Sequence, residues 1–419
     1  MRLITASATT AHTTTHSART VTSVPESEAS RFMTDPSVPL PPPSLSSLGE
    51  TASPQGAYLR SRRLYFALPL LTLSWLILVT VVVAAFWRIQ RWELAPGQAL
   101  TVGPRIEFVD GEQTAPERFP SEDGIHFVTA FGGQLSALDA FVGWLDPDVQ
   151  VDTYEERFGT QTPSARQVLN QQAMISSKQI AEYVALKRLG FDAQLIPGPI
   201  IVGDVICEDD PHPNSACKVL NVGDTIVSFD GTSVAVLDDL ATLTANLSPG
   251  DEVEVEVQPY QSTTTDVRRV RVIESPDDSS KTLVGFVPVD TRTVELPFEV
   301  GIRTADIGGP SAGLAFTLAI LDELSEGNLM GDGRVVATGT INETELVGAV
   351  GAVPQKAVAA RDAKATVFLV PASLSDETIE QARKAAGSGV KVIAVASLGE
   401  ALEALEANGG DPLPTPSQR

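Results

Sequence analysis

Cysteine and histidine are scarce here: two cysteines and four histidines in 419 residues. No CxxC or HExxH occurs, so no metal-ligand spacing is present, and neither a metal nor another cofactor is expected. Basic charge is short as well, with 30 Lys and Arg against 53 Asp and Glu and a net charge of −23. Most of that acid lies beyond Trp92. This excludes a nucleic-acid partner, which would need a basic face. The GxxxxGK[ST] spacing of a phosphate-binding loop is missing, which excludes a P-loop ATPase. No GxSxG elbow occurs and no histidine follows His212, so a Ser-His-Asp triad has little support.

Residues 1–60 have few apolar residues in any helical or strand period and are rich in Ser, Thr and Pro, as in "PSVPLPPPSLSS". Such a segment cannot bury enough apolar surface to offset its ordering entropy, and a disordered tail is expected. "LYFALPLLTLSWLILVTVVVAAFW" (64–87) then runs without a charge. It is long enough to cross about 30 Å of hydrocarbon as a helix. Tyr65, Trp87 and Trp92 near its ends suit the interfaces. The length of the run, the residues before it and the missing small-x-small site favour an uncleaved anchor over a signal peptide. Arg60, Arg62 and Arg63 precede it, while Arg88 and Arg91 follow, with Glu93 close behind. That slight excess favours the tail in the cytoplasm and the bulk outside, in a single-pass arrangement in the cell membrane; an inverted anchor with the bulk in the cytoplasm is the alternative. Outside the cytoplasm, Cys207 and Cys217 in "CEDDPHPNSAC" would form one bridge closing a short loop; the alternative is two unpaired thiols.

The outer part changes texture twice. Over 105–190, "GIHFVTAF" alternates like a strand, and "RQVLNQQAMISSKQIAEYVALKRLG" follows with apolar residues at mostly helical spacing and Gly190 as a stop. Over 191–278, "KVLNVGDTIVSFDGTSV" reads as strand, Asp230-Gly231 turn and strand. A short amphipathic helix follows, and then "EVEVEVQPY", which alternates strictly. This order resembles a bacterial-type PDZ domain, whose family adds extended peptides as a strand beside a helix. The resemblance implies a terminus-binding loop before the first strand, near "PGPIIVGDVI". A PDZ fold that only packs on its neighbour is the other reading. Over 280–408 strands and helices alternate in an α/β pattern, and 409–419 reads as a flexible end.

"DIGGPSAGLAFTLAILDEL" (306–324) places Ser311 after Gly308, Gly309 and Pro310 and before Ala312 and Gly313. Pro310 suits the first turn of a helix, where free N–H groups can hold an oxyanion. By itself this permits a nucleophile without demanding one, and a helix-start serine is the simpler reading. A serine nucleophile needs a base. Lys356, in "VGAVGAVPQKAVAARDA", is the better candidate, because Pro354 again marks a helix start. Acting near pH 7 would require about 4 kcal/mol of destabilisation of its ammonium, which burial can supply and a helix dipole alone cannot. The plain alternative is a solvated surface lysine.

Three separated motifs, "GGPSAG", "ATGTI" and "GAVGAVPQKAVAARDA", occur in the order found in the proteolytic domain of Lon-type proteases, which this chain resembles. The resemblance implies a Ser-Lys dyad of Ser311 and Lys356. It implies Thr338 as a hydrogen-bond partner of the lysine, with Gly309, Pro310 and Ala312 in support. "IHFVTAFGGQLSALDA" and "MISSKQIAEYV" resemble the first strands and first helix of the same domain. The expected fold is therefore an α/β (α+β) Lon-type proteolytic domain, discontinuous over 105–190 and 280–408, with a PDZ-like domain inserted at 191–278 and one N-terminal transmembrane helix at 64–87. The whole order resembles the membrane-anchored, PDZ-containing Lon-like proteases of Gram-positive bacteria. It implies ATP-independent cleavage of protein or peptide substrates, a lipid bilayer as partner through one helix, and a homo-oligomer, hexameric in that family. Ala352 and Pro354 depart from the pattern, standing where Gly-Gly pairs are commoner. A binding scaffold on an inactive protease fold is the rival reading.

Overall fold

The computed structural model describes residues 55–121, 124–159, 161–207, 212–275 and 282–414, with side chains from residue 65 onward. The tail expected over 1–60 lies outside the described residues as far as residue 54, and its last six residues already belong to a helix. That helix, α1 (Gln55–Phe86), leads into β1 (Arg88–Thr101), β2 (Ile106–Val109), β3 (Ile125–Phe131), β4 (Gln134–Ser136), α2 (Ala137–Leu145), β5 (Gln150–Thr153), α3 (Tyr154–Phe158) and α4 (Pro163–Arg188). Next come β6 (Gln194–Val205), α5 (Ala216–Val219), β7 (Thr225–Phe229), β8 (Thr232–Ser233), α6 (Leu237–Thr244), β9 (Glu252–Gln258), β10 (Asp266–Arg271), β11 (Ile273–Glu274), β12 (Thr282–Leu283) and β13 (Phe286–Glu295). The rest is β14 (Glu299–Ile302), α7 (Gly313–Glu323), β15 (Val335–Ala337), β16 (Thr340–Ile341), β17 (Val347–Gly348), α8 (Val353–Asp362), β18 (Val367–Pro371), α9 (Asp376–Ala386), β19 (Lys391–Val395) and α10 (Leu398–Glu406).

Within α1, Tyr65–Phe86 is long and apolar enough to cross a membrane, and its large apolar side chains are exposed. At about 1.5 Å per residue these 22 residues span roughly 33 Å.

A mixed sheet runs in the order β19-β18-β15-β3-β1-β4, with β5 also paired to β1. β19, β18, β15 and β3 are parallel neighbours, and β1 closes on β3 antiparallel. Helices cover both faces, which is why "VFLVP" in β18 is apolar at every position. Phe127, Val335, Ala337, Val367 and Leu369 turn to one core, shared with α4, α7 and α10. Val128, Val336, Phe368 and Val370 turn to the other, filled by α8 and α9. α7 is buried along its whole length. Burying Phe316, Leu318 and Ile320 contributes about 1.5–3 kcal/mol each.

Residues 194–295 form a second sheet, ordered β10-β9-β7-β6-β13, around a core that includes Ile200, Ile226, Phe229 and Val255. Its first and last strands pair antiparallel along their length, from Gln194↔Glu295 to Val205↔Phe286. The sheet thus extends past the boundary expected at 278, because β13 finds its hydrogen-bond partners on β6. "PGPIIVGDVI" (197–206), expected near the loop before the first strand, belongs to β6 itself up to Val205. The bridge expected between Cys207 and Cys217 is not formed; both are free thiols, and Cys217 Sγ lies 3.6 Å from Ser215 Oγ. Residues 208–211, between them, lie outside the described residues.

Two smaller expectations also change. Ile175, one of the apolar residues at helical spacing in "RQVLNQQAMISSKQIAEYVALKRLG", is 46% exposed instead of buried. The flexible end expected from 409 is held further along: the Asp411 N–H donates to Asn328 O at 2.9 Å, and the Asp411 carboxylate accepts the Asn328 N–H at 2.8 Å. Residues 415–419 lie outside the described residues.

Candidate active site

At the C-terminal end of β15 the chain leaves the sheet through Thr338 and Gly339. Thr338 is fully buried and its N–H donates to Leu369 O of β18 at 3.0 Å. Its hydroxyl donates to the main-chain carbonyl of Ser311 at 3.1 Å, and Gly339 N–H donates to the same oxygen at 2.9 Å. Lys356 Nζ donates to the Thr338 hydroxyl oxygen at 3.2 Å. One threonine therefore links the lysine head to the backbone of Ser311, and Ser311, Ala312 and Lys356 line one cleft of about 1100 Å³. Among the described residues the Ser311 hydroxyl makes no hydrogen bond and is free to meet a ligand.

Lys356 sits in the first turn of α8, and only 4% of it is exposed. Burial lowers its amine to about 7, since the charged form loses its water without gaining a carboxylate partner. The turn before it is strained. Ala352, the N-cap, holds φ 59°, a left-handed conformation that costs a residue with a Cβ about 1–2 kcal/mol.

The serine lies in a different local structure from the one its sequence predicts. The helix starts at Gly313, with Ala312 as N-cap, so Pro310 and Ser311 stand just before the first turn. Gly313 N–H is taken by Pro310 O and Leu314 N–H by Gly339 O. The Ser311 and Ala312 N–H groups have no acceptor among the described residues. Gly309 has φ +94°, where glycine alone is unstrained. Ala312 is buried and Pro310 exposed.

α4 grips this loop, through residues the sequence did not single out. Asn170 O accepts the Gly309 N–H at 2.6 Å, and Ser177 Oγ donates to Pro310 O at 3.0 Å. A Cβ on Gly308 would come within 3.0 Å of Asn170 Cβ. The available signal was the position of Ser177 on the stripe that also carries Met174 and Ala181. Ser177 is a polar residue buried where the helix faces its neighbours, whereas Asn170 is exposed and acts through its main-chain carbonyl, which no side-chain pattern signals.

His126 does not line the cleft. It is buried at the β1–β3 pairing, with Nε2 2.9 Å from Thr101 Oγ1 and Nδ1 3.2 Å from Gly124 O. No group of three or more His, Cys, Asp or Glu side chains suited to a metal ion occurs among the described residues.

A mixed α/β sheet with a buried helix thus borders a cleft lined by a serine and a desolvated lysine. Residues 301–407 match the model of the Lon protease (S16) C-terminal proteolytic domain, and this segment is similar to that domain. No curated protein matches the sequence. Among solved structures, the crystal structure of the PDZ domain of an SdrC-like protein from Listeria monocytogenes matches 22% of this chain and 87% of its own, at 17% identity and a TM-score of 0.18.

Proposed function

We propose that this chain is a membrane-anchored serine endopeptidase that works without ATP, with Ser311 as nucleophile and Lys356 as base. The observation that carries this reading is the buried Lys356 amine, held at about 7, on the cleft that Ser311 lines. The free amine takes the Ser311 hydroxyl proton as the oxygen attacks the peptide carbonyl. The N–H groups of Ser311 and Ala312, unclaimed by the fold, hold the oxyanion. The resulting ammonium gives its proton to the leaving amine, and the Ser311 ester remains. The amine then takes a proton from water, whose oxygen attacks the ester, and Ser311 leaves with that proton. Thr338 keeps the lysine aimed across the loop.

The Lon-type domain is discontinuous: β3 and α4, within 105–190, supply its first part together with β1, which lies upstream of that expected range and pairs with β3, and residues from β14 onward supply its second. Residues 194–295 are a PDZ-like insertion, entered and left through the paired strands β6 and β13. The insertion recruits or gates extended protein substrates for the cleft, and without an ATPase the enzyme acts on segments that are already unfolded. α1 anchors it, with the N-terminal tail cytoplasmic.

A serine-reactive fluorophosphonate probe on the full chain tests the dyad. Wild type is labelled; Ser311→Ala and Lys356→Ala, with unchanged far-UV and near-UV circular dichroism, are not. Labelling of Lys356→Ala at the wild-type rate removes the lysine as base. Labelling of Ser311→Ala moves the nucleophile elsewhere.

A further inference from the structure

α2 is inverted relative to an ordinary surface helix. Four of its five large apolar side chains point outward: Phe141, Val142, Trp144 and Leu145 are 59, 57, 77 and 63% exposed, and only Leu138 is half-buried. The face turned to the domain carries Ala137, Ala140 and Gly143, with Leu138 as its one large apolar residue. Ala140 is half-buried, and a Cβ on the buried Gly143 would lie 3.4 Å from the side chains of Val149 and Val151. Asp139, its charged residue, is held in a capping box with Ser136. A surface helix normally buries its apolar stripe, and an exposed one of this size marks a contact surface.

The start of the helix indicates what covers it. Trp87, the residue after α1, accepts the Ala137 N–H on its carbonyl at 2.9 Å. Arg88 pairs with Ser136, the N-cap of α2. α2 therefore begins where the apolar helix ends, beside Phe86 and Trp87, which are 82 and 66% exposed. Trp87 and Trp144 are residues that favour the headgroup level of a bilayer.

We propose that α2 is an interfacial helix, with its Phe141–Leu145 face sunk into the headgroup–acyl boundary of the bilayer that α1 crosses, giving the domain a second membrane contact. The proposal rests on the reading of α1 as a membrane span. α2 carries no Lys or Arg, so its binding depends on apolar insertion and not on anionic lipid.

The test uses the full chain with Cys207→Ser and Cys217→Ser, reconstituted in phosphatidylcholine vesicles, with one new cysteine at a time carrying an environment-sensitive NBD label. At Val142→Cys and Leu145→Cys the expected emission is blue-shifted, and a lipid bearing a doxyl quencher near its headgroup quenches it more than one bearing the quencher at its chain end. At Asp139→Cys the emission stays water-like. At Trp75→Cys the chain-end quencher is the stronger. Water-like emission at positions 142 and 145 together with deep quenching at 75 overturns the interfacial helix and leaves the anchor standing. Water-like emission at all three overturns the anchor and the proposal with it. Blue-shifted emission at 142 and 145 that neither lipid quenches means another protein surface, such as a second copy of this chain, covers the face, and this too overturns the proposal.

Discussion

With the Lys356 amine at about 7, its free-base fraction climbs from about one tenth at pH 6 to about nine tenths at pH 8. If that amine is the base, kcat/KM on a peptide rises through a limb centred near pH 7 and levels above pH 8. A profile flat between pH 6 and 8 would remove the assignment. Lys356→Ala is expected to lower kcat by about 10²–10⁴. A second buried group titrates in the same range for a different reason. Glu182, on α4, is raised by burial to about 8 from 4.5, with Lys178 pulling weakly the other way. Between those values the folded chain holds a proton that the unfolded chain has lost, so stability falls as pH rises across that window. Glu182→Gln cannot ionise. It is expected to add about 1–3 kcal/mol at pH 8 and almost nothing at pH 4, measured as urea midpoints of the two chains against pH.

Two turns control how the elements meet at the cleft. Ala352→Gly relieves a left-handed alanine and gives back part of the gain as unfolded-chain entropy. The expected net is about 0.5–1 kcal/mol of added stability, read by thermal unfolding. A loss of stability would mean that the Ala352 methyl packs better than its backbone is strained. Gly313→Ala acts oppositely. Its Cβ would lie 3.0 Å from Ser177 Oγ and 3.1 Å from Ile341 N, and about 1–3 kcal/mol of destabilisation is expected in the same assay. At this scale the sequence was partly legible. The Gly-Gly-Pro before Ser311 announced a helix start, but the helix begins two residues after the serine. Tertiary partners decide that offset: Gly339 takes Leu314 N–H and donates to Ser311 O, both from a strand end far along the chain.

Across the whole molecule, Gln194 and Glu295 are paired neighbours, so a two-residue Asn-Gly turn can join them when residues 195–294 are removed. The shortened chain is expected to keep probe labelling and cleavage of short peptides while losing turnover of an unfolded protein substrate. Equal turnover of both substrates would remove the proposed recruiting role from residues 194–295. The excision also breaks contacts to α4: the Tyr260 hydroxyl donates to Gln171 Oε1 at 2.6 Å, next to Asn170, which holds the serine loop. Peptide cleavage by the shortened chain therefore also reports whether α4 keeps its place alone.

The sequence by itself determined the apolar span, the strand and helix periods, and the candidate pair of Ser311 and Lys356, because each is written in local composition or in a short motif. It left the lysine's environment open, since burial is set by residues far away in the chain. Only the tertiary structure decided that α8 buries Lys356 at the wall of the cleft, with Thr338 between it and the backbone of Ser311. The pairing of β13 with β6 and the outward face of α2 were decided there too. A strand pattern names no partner, and an apolar helix read alone is expected to point inward; which neighbour takes each edge and face depends on the long-range packing of the sheet.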